Sequence, residues 1–167
     1  TALAKKLVSF RDSFSLENYL ALINDKEIPD YYKTLIYAHA IKQFANSYEA
    51  FVGYGIYHAS IKNYSASVQF LAEGENCEMK LTNKEYWQLV YAYSLFMTGD
   101  TGKSLPYFSQ SFDSKKVIYR HAAIYFSVRA LSIQGKDKEA NDLLLRLTAS
   151  AEWSKYLSLL AMTDRKE

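Results

Sequence analysis

Cysteine is almost missing from this chain. The single Cys77 rules out an internal disulfide and any metal site built from several thiolates. That usage fits a reducing compartment and also a periplasmic one, so localisation stays open between the two. No run of about 18 apolar residues occurs, so no segment reads as membrane-spanning and direct membrane insertion is not expected. Long blocks of like charge are also lacking. Against 20 basic residues stand 18 acidic ones, and the densest basic stretches, Lys5-Lys6 and Lys115-Lys116, are only pairs. Nucleic-acid recognition usually needs a concentrated basic face, so no nucleic-acid partner is expected. The sequence opens on Thr1, with no initiator Met and no signal peptide, and the expectation is a fragment or processed form of a longer protein. Strand-like alternation is absent, which leaves an all-α reading.

What is present is size, apolar content and tyrosine. A chain of 167 residues buries roughly 70% of its unfolded surface and needs no disulfide staples. Fifteen of its residues are Tyr, a side chain with an apolar body and a polar tip that suits both cores and interfaces. The stretch from Tyr86 to Phe112 organises the rest. Residues 86–97 carry almost no charge, Thr98-Gly99-Asp100-Thr101-Gly102 breaks the pattern, and Leu105, Phe108 and Phe112 follow at helical spacing. Two amphipathic helices and a short turn make a helical hairpin, and one hairpin alone cannot bury both of its apolar faces.

The same pattern extends along the chain. A short amphipathic helix is expected over 2–10. A second opens with Ser15 as N-cap and buries Leu16, Tyr19, Leu20, Leu22 and Ile23, and Pro29 ends the segment that follows it. Asp30 is read as the cap of a helix over 31–44. Its Leu35, Ile36, Ala38, His39, Ile41 and Lys42 wrap most of the circumference, so it is expected to be well buried. Helices follow over 48–61 and 64–76. Two glycines inside the first of these, Gly53 and Gly55, each cost about 1 kcal/mol against Ala and argue for close approach by another helix. Residues 78–83 read as a loop, 119–133 and 137–147 as helices, 151–162 as a closing helix, and 163–167 as a polar tail.

The turns are evenly spaced. Lys62, Gly99 and Gly135 stand 37 and 36 residues apart. In register with them come Gly55, Ala92 and Val128 before the turn, Ser67, Ser104 and Ala140 after it, and then Leu71, Phe108 and Leu144. Small residues thus recur where two helices would cross, and large apolar ones where the second helix would meet the next hairpin. An irregular helical bundle with evenly spaced turns remains the alternative.

This register resembles the tetratricopeptide repeat, a helical hairpin of about 34 residues. The departures are Val128 at a position that prefers a small residue, Lys62-Asn63 in place of a glycine turn, longer periods, and no proline after the second helix. The resemblance implies a right-handed α-solenoid of about three to four repeats with a C-terminal capping helix. The whole chain, 1–167, is then one domain: N-terminal helices over 1–46, hairpins over 48–80, 84–114 and 118–148, and the cap over 151–162. It also implies that the first helix of each hairpin lines a concave groove for a segment of a protein partner. Mapped onto this sequence, the groove positions are Tyr86, Leu89, Tyr93, Phe96 and Met97, with Tyr125, Arg129 and Ser132, and with Glu49, Val52 and Ile56. Tyr and Arg are common energetic anchors at interfaces. The competing reading makes Tyr93 and Phe96 core between hairpins, or has the N-terminal helices cover them.

Other chemistry is poorly supported. Gly99 to Ser104 looks like part of a phosphate-binding loop, but Met97 stands where that loop needs Gly and a helix precedes it. His39, His58 and His121 lie on separate helices, with His39 and His58 expected to be packed and hydrogen-bonded. Cys77 lies beside Glu75 and Glu78, and acidic neighbours raise a thiol's pKa, which disfavours a nucleophile. No catalytic, cofactor or metal residues are therefore assigned. The expectation is a non-enzymatic protein-binding module, a scaffold or assembly factor in a larger complex. Two variants of that role are a type III translocator chaperone, whose family is of similar length but tends to be acidic, and a piece of a bacterial envelope machine for pili or polysaccharide export.

Overall fold

The computed structural model describes residues 14–77 and 84–149, and every regular element among them is an α-helix. In chain order these are α1 (Leu16–Asn24), α2 (Asp30–Gln43), α3 (Tyr48–Ser60), α4 (Tyr64–Asn76), α5 (Lys84–Met97), α6 (Thr101–Ser109), α7 (Val117–Ile133) and α8 (Asp137–Thr148). The helices expected over 2–10 and 151–162, the loop over 78–83 and the tail over 163–167 lie outside the described residues.

Local chemistry sets the helix starts. The Ser15, Ser47, Asn63 and Asp100 side chains accept the backbone N–H of Asn18, Ala50, Ala66 and Lys103. Each such cap satisfies an orphan donor and contributes about 1 kcal/mol. Asp30 is not a cap, contrary to expectation. It lies inside the first turn of α2, where the proline backbone at Pro29 begins the helix and Lys33 pairs with the carboxylate at 3.7 Å.

Three turns share one backbone geometry. Among the described residues, positive φ occurs at Lys62 (61°), Gly99 (86°) and Gly135 (71°), the positions aligned from the sequence. In each turn the positive-φ residue donates to the carbonyl three residues earlier: Lys62 to Ala59, Gly99 to Phe96, Gly135 to Ser132. The next residue donates to the carbonyl five residues before it: Asn63 to His58, Asp100 to Leu95, Lys136 to Leu131. This is the Schellman pattern, which satisfies orphan carbonyls within two residues and sends the chain straight into the next helix. Lys62 adopts without glycine the conformation that glycine serves in the other two turns.

Close crossing follows from small residues. A Cβ built on Gly55 would stand 2.5 Å from Leu71 Cγ and 3.1 Å from the Leu71 backbone nitrogen, and one on Gly74 would stand 2.7 Å from Val52 Cγ2. Helices α3 and α4 therefore meet at a separation that only glycine allows. Ala92, Ser67, Ser104 and Ala140, the small residues of the register, are all buried.

The core is divided along the chain. One cluster joins α1 and α2 to α3 through Tyr19, Ile23, Ile36, Tyr37 and Tyr54. A second joins α3 and α4 to α5 through Val52, Leu71, Trp87, Tyr91 and Leu95. A third joins α5 and α6 to α7 through Phe96, Phe108 and Phe126, and a fourth links Ile124 of α7 to Leu147 of α8. Helix α5 contacts both α3 and α7.

Three expectations are corrected. Helix α2 buries Ile36, Tyr37 and Ala40, but Leu35 is 51% exposed and Ala38 and Lys42 also face solvent, because α1 and α3 cover only one side of it. Helix α6 stops at Ser109 and not at Phe112. Pro106 inside it has no N–H to donate, and Ser111 and Phe112 bond to carbonyls three residues back in a tightened turn. Leu144 is 40% exposed where Leu71 and Phe108 are fully buried, and Leu147 fills the core of the last hairpin instead.

Lys62→Gly is expected to raise stability by about 1 kcal/mol, since it removes the cost of a left-handed non-glycine residue. Gly55→Ala is expected to lower it by about 1–3 kcal/mol, because overpacking against Leu71 outweighs the gain in helix propensity. Urea midpoints of the two variants check both signs.

Candidate functional site

The leading helices α3, α5 and α7 carry the residues that the sequence assigns to a groove. Their placements fall into three groups. Tyr86 (41% exposed) and Met97 lie open on α5, and Ser132 is exposed on α7. Leu89, Tyr93, Tyr125, Arg129, Glu49 and Ile56 are half-buried. Val52 and Phe96 are buried, at 7% and 8% exposure, and belong to the second and third core clusters. These two are corrected from groove to core. Both helices carrying them have apolar residues facing two neighbours, so an inward residue and a groove residue look alike in sequence.

Aromatic contacts tie the row together. The Tyr93 ring meets Tyr64 edge-on at 5.6 Å and Phe126 at 4.9 Å, so it is wedged between α4 and α7 as well as lying on the row. Tyr125 stands edge-on to Phe126 at 5.1 Å. The Arg129 guanidinium lies 5.4 Å from the centre of the Phe96 ring and 5.9 Å from that of Tyr125. A cation over aromatic faces holds both partners in place, at about 0.5–1 kcal/mol where solvent reaches the contact. Tyr86 approaches Tyr119 across the α5–α7 gap at 6.1 Å. Sequence reasoning misses Tyr119 because it sits at a helix start, and it also passes over the exposed Ile118 and Ile133 at the two ends of α7.

The remaining candidates have structural explanations. In the stretch that resembles a phosphate loop, Lys103 Nζ pairs with Asp100 at 2.8 Å, and the buried Ser104 donates its hydroxyl to the Thr101 carbonyl. Asp100 is thereby held below the usual carboxylate range by its bond to Lys103. Neither side chain is offered to a phosphate. The Cys77 thiol is raised first by burial and then by the acidic Glu73 and Glu49, and it donates to the Glu73 carbonyl at 3.4 Å. A thiol so placed is a poor nucleophile. It borders an open cavity of about 530 Å³ lined by Ala45, Asn46, Phe51, Glu73 and Asn76. His39 receives or donates a 2.6 Å bond with the Tyr19 hydroxyl, as expected of a packed histidine, whereas neither ring nitrogen of His58 has a hydrogen-bond partner. Among the described residues no three His, Cys, Asp or Glu side chains gather as a metal site, and no helix is long and apolar enough to cross a membrane.

No family model, curated protein or solved structure matches the chain.

Phe96→Ala is expected to cost about 3–5 kcal/mol of stability, the range for a buried aromatic. Tyr86→Ala, at an exposed position, is expected to stay within about 0.5 kcal/mol. Denaturant unfolding of both variants separates core from surface on this row.

Proposed function

We propose that the chain is a right-handed α-solenoid of tetratricopeptide-like hairpins acting as a non-enzymatic protein-binding module, a scaffold or assembly factor. A segment of a partner protein lies along the leading helices. The observation that carries this reading is the contact of α5 with both α3 and α7, which a common wall of leading helices requires. The three identical turns at a spacing of 37 and 36 residues support the repeat itself. Tyr86, Leu89, Met97, Tyr125 and Arg129 supply the exposed or half-exposed part of that wall, with Ile56 at its α3 side. Flat, rigid aromatic side chains contribute contact area with little entropy to lose, and Arg adds directional donors.

The test is capture of partners from a lysate of the source cells on the immobilised chain, with mass spectrometry of what is retained and titration of the leading candidate. Tyr86→Ala combined with Met97→Ala is expected to weaken affinity by about 2 kcal/mol, roughly 30-fold, with the thermal transition unchanged. Unaltered affinity in that double variant removes the wall from the binding surface.

A further inference from the structure

His58 occupies a core position that the other two hairpins give to leucine. It is the third residue from the end of α3, and its carbonyl accepts the Asn63 N–H as the Leu95 and Leu131 carbonyls accept those of Asp100 and Lys136. Leu95 and Leu131 are 2% and 5% exposed, and His58 is 7% exposed. Its ring stacks on Phe70 of α4 at 5.4 Å and 11°, and lies 4.4 Å from Tyr54 and 5.8 Å from Tyr57 on its own helix. Neither Nδ1 nor Nε2 finds a hydrogen-bond partner there. An imidazole buried without partners among aromatic rings is tolerable only while neutral, because a buried cation left unpaired is far costlier than a buried neutral group.

The rings around it carry the junction between α2 and α3. Tyr54 stacks on Tyr37 of α2 at 5.0 Å, and Tyr57 lies 5.7 Å from the same ring. The Tyr57 hydroxyl donates to the Asp30 carbonyl at 2.7 Å. We infer that His58 is an acid-responsive element of the fold: neutral, it lies against this tyrosine stack, and once protonated it swings out of the aromatic cluster and loosens the seating of α1 and α2 on α3. The charged ring has a destination. It sits in the last turn of α3, where the negative end of the helix dipole favours a cation. Two ring positions, inside when neutral and outside when charged, make the element two-state.

His39 of α2, bonded to Tyr19 of α1, and His121 of α7 are the other imidazoles, and comparison with variants at His58 subtracts what they contribute. Among the described residues the titratable groups that face the ring are the phenols of Tyr54 and Tyr57 on α3 and, one ring away, Tyr37 on α2; α4 presents the Phe70 ring. Burial raises Tyr54, and burial followed by Tyr57 pushes Tyr37 up to about 12, so these phenols stay neutral throughout the acid range. Asp30, whose backbone carbonyl takes the Tyr57 hydroxyl, pairs its carboxylate with Lys33. Burial holds His58 below its ordinary value. Above about pH 6.5 both folded and unfolded forms are neutral and its contribution to stability is complete; as pH falls below that value the unfolded chain takes up protons first and stability is lost.

The experiment follows thermal unfolding of the chain, His58→Leu and His58→Phe from about pH 7.5 to about pH 5, with amide exchange read along the sequence and the imidazole titrated by NMR in the unsubstituted chain. The unsubstituted chain is expected to lose about 3 °C or more in Tm beyond what either variant loses over that range. Exchange in α1 and α2 is expected to rise before exchange in α5 to α8. Equal losses in all three proteins overturn the inference, as does uniform exchange. If neither variant folds, the NMR titration decides alone: a His58 ring that titrates at or above the ordinary histidine value overturns it, and one that titrates below it supports it.

Discussion

A helix that must reverse direction within two residues has little freedom in how it does so. Its last carbonyls need donors, and a single residue in the left-handed region is the cheapest way to bring two of them round. Lys62, Gly99 and Gly135 each do this, and Asn63 and Asp100 use the very next side chain to cap the helix that follows. So short a connection presses the paired helices together along their length. That is why Gly55 and Gly74 face Leu71 and Val52 where α3 and α4 cross, and why Ala92 is buried at the same register on α5. Turn geometry thus dictates which positions must be small, and the small positions dictate where the large ones, Leu71 and Phe108, insert.

The second level is serial. Each apolar cluster joins elements that are neighbours in sequence, and α5 is the helix shared most fully, with Trp87, Tyr91 and Leu95 in one cluster and Ala92 and Phe96 in the next. Such a helix is apolar on two sides, and the surface it leaves for anything else is narrow. Tyr86, Leu89 and Met97 occupy that remainder. A buried polar link, the 2.9 Å bond between the hydroxyls of Ser67 on α4 and Ser94 on α5, fixes the register of the two hairpins where no side-chain volume could do so alone.

Much of this organisation is legible in the residues themselves. The bounds of α4 follow from the turn at Lys62-Asn63 and the loop read over 78–83, and the three turns align on residue spacing alone, with no knowledge of their dihedrals. Where the sequence misleads, the causes are physical and shared. A helix with apolar residues on two faces has no single phase, so Val52 and Phe96 cannot be told from Leu89 and Tyr86. The outward Leu35 is misplaced for the converse reason: α2 has apolar residues all round, and composition does not say which side its neighbours cover. Pro106 takes one bond out of the α6 ladder, from its own position back to Gly102, and the chain tightens into three-residue turns after Ser109, neither of which apolar spacing registers. Most buried imidazoles find a partner, which is why one is expected for His58; the leucines at the equivalent positions of the other hairpins are the available sign that this site is an apolar one.

Among the described residues each cluster joins helices that are neighbours along the chain, and in the hairpin stack proposed above that makes length a free variable. A hairpin could be gained or lost at a turn such as that at Gly99 without redesigning those farther away, provided the small residue, the left-handed residue and the inserting apolar residue travel together as one inherited set. The turn at Lys62 keeps the backbone path of those at Gly99 and Gly135 while carrying lysine where they carry glycine, and histidine at position 58 where they carry Leu95 and Leu131.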